Sequence, residues 1–294
     1  ALDALTSADY SVAVGYDAGS AITTGGNNTL MGYQAGKHIT TGTNNTGVGI
    51  QALYNFDTET SNTAFGQSAL GGAIAGGEYN VAVGNLTLDA LTSGDFNTAI
   101  GYISGSALTT GSNNTSVGNQ SLENHTIGND NTAIGSGALN ANTEGEQNTA
   151  IGRAALGGNT TADNNTAVGY TALLANTTGE HNIGIGNAAV NGGDTENHNL
   201  GIGTDALGGS VAGGEYNVAV GNYTLDATTS GDNNTAVGYQ ALTTHTTGVS
   251  NTAVGYQAMS AGNVTGNYNT AIGVQASNNA TSGQNNTSLG YSAA

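Results

Sequence analysis

A glycine recurs at a nearly fixed interval along the whole chain, and this period limits the possible folds more than any other feature. Each such glycine ends a short phrase of the type Asn-Thr-Ala-Val-Gly, and we call it the marker glycine. Consecutive markers are separated by seventeen positions thirteen times and by eighteen positions three times. A period of this length indicates stacked structural repeats. The markers are Gly15, Gly32, Gly49, Gly66, Gly84, Gly101, Gly118, Gly135, Gly152, Gly169, Gly186, Gly203, Gly221, Gly238, Gly255, Gly273 and Gly290.

The residues around each marker follow a strict pattern, counted here from the glycine so that −1 precedes it and +1 follows it. Position −1 is apolar in all seventeen repeats, position −3 is Thr in twelve, and position −4 is Asn in sixteen, with Ser11 as the exception. Position −2 is Ala, Gly or Ser everywhere except Leu30. Position +3 is usually small and position +4 is often Leu. This pattern predicts a short strand, a bend at the marker, a second short strand and a polar turn.

A repeat of this length is too short for two helices and their connection, but it suits one turn of a β-solenoid. We therefore predict an all-β fold, a parallel β-solenoid or β-roll of about 17 coils of 17–18 residues, as one continuous domain over residues 1–294. With coils ~4.8 Å apart, the rod would be roughly 80 Å long. Complete absence of Pro fits a chain whose backbone N–H groups bond to neighbouring coils. The alternative, a disordered polar chain, does not explain the strict apolar spacing.

Two columns of residues carry predictions about packing. The Asn at position −4 would stack on its own copies as a structural ladder of side-chain amides. If Thr and the apolar residue at −1 face the interior, the small residue at −2 faces outward, where we expect charged residues unless another chain packs there. That arrangement predicts lateral contact through Ala82, Ala99, Ala133, Ala150 and Ala167; alternatively, Ala merely fits a slim coil. The clearest ladder residues are Asn80, Asn97, Asn114, Asn131, Asn148 and Asn165.

Charge narrows the classes of partner. The formal net charge is −18, because 20 acidic residues face only Lys37 and Arg153. Such a surface repels nucleic acid and anionic lipid, and we expect neither as a partner. No apolar run is long enough for membrane insertion. Cys is absent, so no disulfide framework or thiol chemistry is predicted.

The repeats resemble those of known surface fibres. Residues 233–242 (NNTAVGYQAL) and 251–259 (NTAVGYQAM) are similar to repeats of bacterial and phage surface-fibre and tail-fibre-like proteins. More distantly, the NVAVG phrases at Asn80 and Asn217 resemble the NSVAIG-type repeats of trimeric autotransporter adhesin heads, although those repeats are usually shorter. The resemblance implies a left-handed parallel β-roll, three chains side by side, and a location outside the cell or on a cell or virion surface.

From these observations we predict a structural or adhesive extracellular fibre that associates with itself laterally, as a homotrimer, and stacks head-to-tail into a filament. The alternative is a ligand-binding solenoid that holds ice through Thr rows or polysaccharide such as surface glycans through Tyr and Asn. A fibre-borne glycan depolymerase is less favoured, because carboxylates in polar turns are more simply explained as a solvated surface. No nucleophile elbow, Walker loop, HExxH or CxxC motif is present, so we predict that the protein is not an enzyme.

Carboxylates at position −6 suggest a metal site. Glu146, Asp163 and Glu180 occupy three successive coils and would stack as like charges unless a cation such as calcium intervenes. Simple solvation is the alternative, and no other cofactor is predicted. His181 and His198 are also stacked neighbours, for which we weigh a metal site against coincidence within the repeat. The complete acidic set at −6 is Asp9, Glu78, Asp95, Glu146, Asp163, Glu180, Glu215 and Asp232.

Seven Tyr residues directly follow marker glycines. An exposed Tyr column could stack on sugars or pack across a contact between chains, and we favour packing. The residues are Tyr16, Tyr33, Tyr102, Tyr170, Tyr239, Tyr256 and Tyr291.

Overall fold

A computed structural model describes residues 1–7, 10–72, 76–209, 214–260, 265–279 and 282–293; Asp9 lies outside these ranges. The described residues form seventeen strands of three residues each, joined by turns and bends, and contain no helix. Their parallel pairing from coil to coil confirms the predicted all-β parallel solenoid. The chain divides into two compact units, residues 1–147 and 148–294. The prediction of a single continuous domain over 1–294 stays a prediction, and so does the handedness of the coil.

Each coil contributes one strand at positions −3 to −1. In the first unit these strands pair in parallel from β1 to β8, and in the second from β9 to β17, each residue opposite its own copy in the next coil. The first unit contains β1 Val12–Val14, β2 Thr29–Met31, β3 Thr46–Val48, β4 Thr63–Phe65, β5 Val81–Val83, β6 Thr98–Ile100, β7 Thr115–Val117 and β8 Thr132–Ile134. The second contains β9 Thr149–Ile151, β10 Thr166–Val168, β11 Ile183–Ile185, β12 Leu200–Ile202, β13 Val218–Val220, β14 Thr235–Val237, β15 Thr252–Val254, β16 Thr270–Ile272 and β17 Thr287–Leu289.

The second strand predicted around positions +3 and +4 is wrong. These residues lie in turns, and Leu53 and Leu70 at position +4 have φ of 54° and 48°. A left-handed backbone at every such position cannot continue a strand. The side chains at +3 and +4 are nevertheless buried, as Ala52, Leu53, Ala69 and Leu70 show, so the turn supplies most of the bulky part of the core.

The two faces of the strand are the reverse of those predicted. Position −2 points into the coil, and Ala82, Ala99, Ala133, Ala150 and Ala167 are at most 1% exposed. Lateral contact through these alanines is therefore wrong, and the alternative, a small residue fitting a slim coil, is the one that agrees with the structure. Positions −3 and −1 instead point away from the core, with intermediate or exposed side chains.

The size limit at position −2 has a direct cause. A Cβ built on Gly47 would lie 3.1 Å from Cδ1 of Leu53 in the turn of the same coil and 3.2 Å from Cδ2 of Leu30 in the preceding strand, so leucines leave little room for a larger side chain there. Leu30 is the exception at −2. It is fully buried, and its Cδ2 would lie 2.6 Å from a Cβ on Gly36, which stands at position +4 where most coils have a larger residue. In this coil the large side chain at −2 thus occupies the space next to a glycine at +4.

The marker glycines form the predicted bend. Gly101 has φ of 140°, in a region open to glycine alone, and a Cβ there would overlap the carbonyl oxygen of Gly118 in the next coil. Conformation and close approach both exclude a side chain at this position.

Candidate functional site

The Asn column at position −4 is buried and forms the predicted ladder. In the first unit, Asn97 Oδ1 accepts the backbone N–H of Asn114 at 3.0 Å, while Asn114 Nδ2 donates to the carbonyl of Gly128 at 3.0 Å. In the second unit, Asn148 Oδ1 accepts the backbone N–H of Asn165 at 2.9 Å. Each amide therefore bonds mainly to the backbone of a neighbouring coil. The ladder is confirmed, and its role is structural.

Two aspartates at position −6 also accept hydrogen bonds from backbone groups of a neighbouring coil. Asp95 Oδ1 accepts the N–H of Glu78 at 2.8 Å, and Asp232 Oδ1 accepts that of Glu215 at 2.9 Å. The amide oxygen of Asn129 does the same for Ser112 at 2.8 Å. Since an uncharged amide serves equally well, this position selects for an oxygen acceptor rather than for charge.

The three metal candidates are divided between the units: Glu146 lies in the first, and Asp163 and Glu180 lie in the second. Glu146 Oε1 accepts a hydrogen bond from Asn129 Nδ2 at 2.8 Å. Across the residues that the structure describes, no three His, Asp or Glu side chains are grouped in a way that could hold a metal ion. Calcium binding stays a prediction.

His181 and His198 belong to an aromatic stack. Their rings are 4.9 Å apart and 6° from parallel, and His198 stacks in turn on Tyr216 at 4.9 Å. Tyr79 and Phe96, at the same position −5, stack at 5.1 Å. Since Tyr and Phe occupy the column as well as His, ring stacking explains the position without a metal.

The tyrosines at position +1 are exposed, and several of their rings contact a ring or a guanidinium of a neighbouring coil. Tyr16 stacks on Tyr33 with centroids 5.5 Å apart, and Tyr239 stacks on Tyr256 at 5.6 Å. The guanidinium of Arg153 lies 5.6 Å from the centre of the Tyr170 ring. These contacts lie within one chain, so both sugar binding and packing across a contact between chains stay predictions for the Tyr column.

Two buried histidines at position +7 escaped the sequence analysis. His125 Nε2 donates to the carbonyl of Gly128 at 2.8 Å and His245 Nε2 to that of Gly248 at 2.6 Å. Burial lowers the pKa of both rings. The same position holds Ile22, Ile39, Leu91 and Leu108 in the first unit, and this apolar column is the signal that could have placed the histidines inside.

A second group of buried polar residues lies beside two of the longer coils, those that end at Gly84 and Gly221. Glu59 and Glu196 stand at position −7 of the coils just before these, where most coils have Gly, and are 4% and 5% exposed. The Glu59 carboxylate accepts the N–H of Asp57 at 2.6 Å and that of Gly76 at 3.1 Å, so it satisfies backbone donors of its own coil and of the longer coil that follows.

Two aspartates follow the same longer coils at matching places in the repeat. Asp89 and Asp226 both stand at position +5, after Gly84 and Gly221 respectively. Burial raises the pKa of both carboxyl groups, and the charge of Asp205 raises that of Asp226 further. Each of the two longer coils is thus preceded by a buried glutamate and followed by a partly buried aspartate.

The strand side chains that point outward recur from coil to coil, and we call positions −3 and −1 of the strands the outer strand face. Ile100, Ile134 and Ile151, all at −1, are each 39% exposed. Neither position holds a charged residue in any coil, although the chain has a net charge of −18. At the adjacent position +1, Arg153 is the single charged residue among all the coils.

No protein-family model matches the sequence, and no curated protein is significantly similar to it. The resemblance to surface-fibre repeats therefore stays a prediction. In the described ranges, no helix has both the length and the apolar character needed to cross a membrane.

Proposed function

We propose that this protein is a structural fibre protein of the extracellular space or of a cell or virion surface, built to associate laterally with further copies of itself. The observation that supports this function is a set of hydrogen bonds between coils that recurs along each unit, with Asn at −4 in nearly every coil and an oxygen acceptor at −6 in several. Asn at −4 and oxygen acceptors at −6 bond to backbone groups of neighbouring coils. A function spread evenly along the chain suits a load-bearing or spacing element better than a local site does.

A non-catalytic role agrees with the bonding of the acidic residues. Asp95 and Asp232 accept backbone hydrogen bonds, and an amide replaces them in other coils. An adhesive role and trimeric assembly belong to the same proposal and are supported by the resemblance of the repeats alone. Head-to-tail stacking belongs to it as well, because unpaired strand edges invite further pairing.

Electron microscopy and sedimentation test the proposal together. We expect thin fibres or bundles in micrographs and a sedimenting species larger than one chain at micromolar concentration. A monomer at every concentration, with isolated particles in micrographs, would contradict it. Bundles without end-to-end continuity would support lateral assembly and contradict head-to-tail stacking into a filament.

Ice binding is the second candidate, because the regular Thr column lies outside rather than inside the coil. Thr98, Thr115 and Thr132 are partly exposed and pair in register along a parallel sheet, which places them ~4.8 Å apart. An ordered hydroxyl array of this kind could organise surface water. Thermal hysteresis in a nanolitre osmometer tests it: a freezing point depressed below the melting point supports ice binding, and coincident values contradict it.

A further inference from the structure

We infer that the outer strand face is the surface through which copies of this chain associate with one another. The inference rests on the proposed function and assigns its contact residues. It also replaces the alanine column, which is buried within the single chain. The contact would use the apolar side chains at −1 and the Thr or aliphatic side chains at −3.

The first argument is the exposed apolar area. In the first unit Met31, Phe65, Ile100 and Ile134 expose between 39% and 44% of their surface on the same side of the strands. Eight three-residue strands give a face of roughly 10 by 34 Å. The apolar side chains at −1 form one continuous row along this face, beside the mostly Thr side chains at −3, and exposed apolar rows of this kind mark interaction surfaces.

The second argument is the distribution of charge. The outer strand face contains no charged residue, and the 20 acidic residues all lie elsewhere in the sequence. Two copies that each carry a net charge of −18 repel each other least where neither has a charge. A basic or acidic partner would find no complementary group on this face, so charge favours a second copy over a polyelectrolyte.

The third argument is the period of the face. Thr98 pairs with Thr115 and Ile100 with Val117, and this register recurs from β1 to β8 and again from β9 to β17. A second copy has the same spacing between coils, so its rows of side chains match these rows over many coils. A partner with another spacing would lose the match after a few coils.

Paired charge substitutions test the assignment. Ile100→Glu with Ile134→Glu places two carboxylates on the outer strand face, while Ser93→Glu with Thr110→Glu adds the same charge at exposed positions in turns of the same unit. All four side chains point to solvent in the single chain, and thermal melts will verify that both variants fold. We expect the first variant to weaken association at least tenfold in sedimentation equilibrium, because buried carboxylates would lack partners, and the second to change it by less than threefold.

The outcomes separate the inference from the proposed function. If the native chain associates and both variants associate equally well, the face is wrong and fibre assembly stands. If the native chain is a monomer, the inference and the proposed function both fail. If that monomer shows thermal hysteresis that only the Ile100→Glu, Ile134→Glu variant loses, the outer strand face binds ice and the inference is overturned.

Discussion

Asn114 lies at the centre of the bonding between coils in the first unit. Its Oδ1 accepts the backbone N–H of Asn131 at 3.0 Å, and its Nδ2 donates to the carbonyl of Gly128 at 3.0 Å. Asn114→Ala would remove one partner from each of these buried backbone groups. We expect the free energy of unfolding to fall by about 2 to 4 kcal/mol, measured by urea denaturation.

Asn119→Ala is the matched control, because Asn119 lies near the surface and its side chain bonds to Gln120 there. We expect a change within about 0.5 kcal/mol. Equal losses in the two variants would show that the buried ladder contributes no more than an ordinary surface amide.

The buried histidines predict a dependence of stability on pH. Protonation of His125 Nδ1 would place the new proton against Asn142 Nδ2, a donor 3.0 Å away, and His245 Nδ1 has no hydrogen-bond partner to compensate for a buried charge. Their lowered pKa means that the unfolded chain takes up protons first as the pH falls below 6.5. The part of the stability that depends on neutral histidines is therefore fully present above that value. Below it, the free energy of unfolding falls by at most about 1.4 kcal/mol per pH unit for each histidine.

The chain offers its own replacement for this test, since Asn142, Asn159 and Asn176 occupy the same position +7. Between about pH 7.5 and about pH 5.5, we expect the melting temperature of the double variant His125→Asn, His245→Asn to fall by less than that of the native chain. The raised pKa of Asp89 and Asp226 acts in the opposite direction and is common to both proteins, so it cancels in the comparison. Parallel pH profiles would contradict the prediction.

At the scale of the coil, the period and the columns were predictable from the sequence because each position stacks on its own copy. The direction of each side chain was not. Period-2 alternation defines two faces without saying which one is inside, and the answer depends on the left-handed turn that directs Leu53 and its equivalents into the core. Without that turn the alanines at −2 were assigned outward, and the apolar residues at −1 inward. The ladder was predicted correctly because it needs only the period.

A buried cluster of Ser104, Ser116 and Ser121 allows a prediction about the stability of the coil. Ser116 at −2 bonds to the carbonyl of Ser121 at 2.9 Å, and Ser104 Oγ contacts the hydroxyls of both Ser116 and Ser121 inside the coil. Most other coils have Ala at these positions. We expect Ser116→Ala alone to cost about 1 to 2 kcal/mol, since it leaves buried partners, and the triple change of all three serines to Ala to be nearly neutral.

Differential scanning calorimetry of the single and triple variants decides whether the serine cluster gives the coil a net stabilisation or only satisfies the hydrogen-bonding groups of its own hydroxyls. A triple variant that melts lower than the single variant would contradict the prediction. The cluster would then contribute a net stabilisation that alanine packing cannot replace.

For the whole molecule, the separation of charge from the outer strand face predicts how association responds to salt. Ions screen charges over about 30 Å at 0.01 M and about 10 Å at 0.1 M ionic strength. If copies with a charge of −18 meet through an uncharged apolar face, the opposing force is repulsion between distant acidic residues. We therefore expect association, measured by sedimentation equilibrium, to strengthen as NaCl rises over this range.

Calcium chloride at equal ionic strength is the control. If screening alone acts, the two salts give the same association constant. A larger effect of calcium, reversed by chelator, would indicate bridging between carboxylates such as Asp163 and Glu180 in the second unit, and would support the calcium site that the sequence suggested. If NaCl instead weakens association, complementary charges hold the copies together. The contact would then have to include acidic residues together with Lys37 or Arg153, because the outer strand face has no charge for salt to screen.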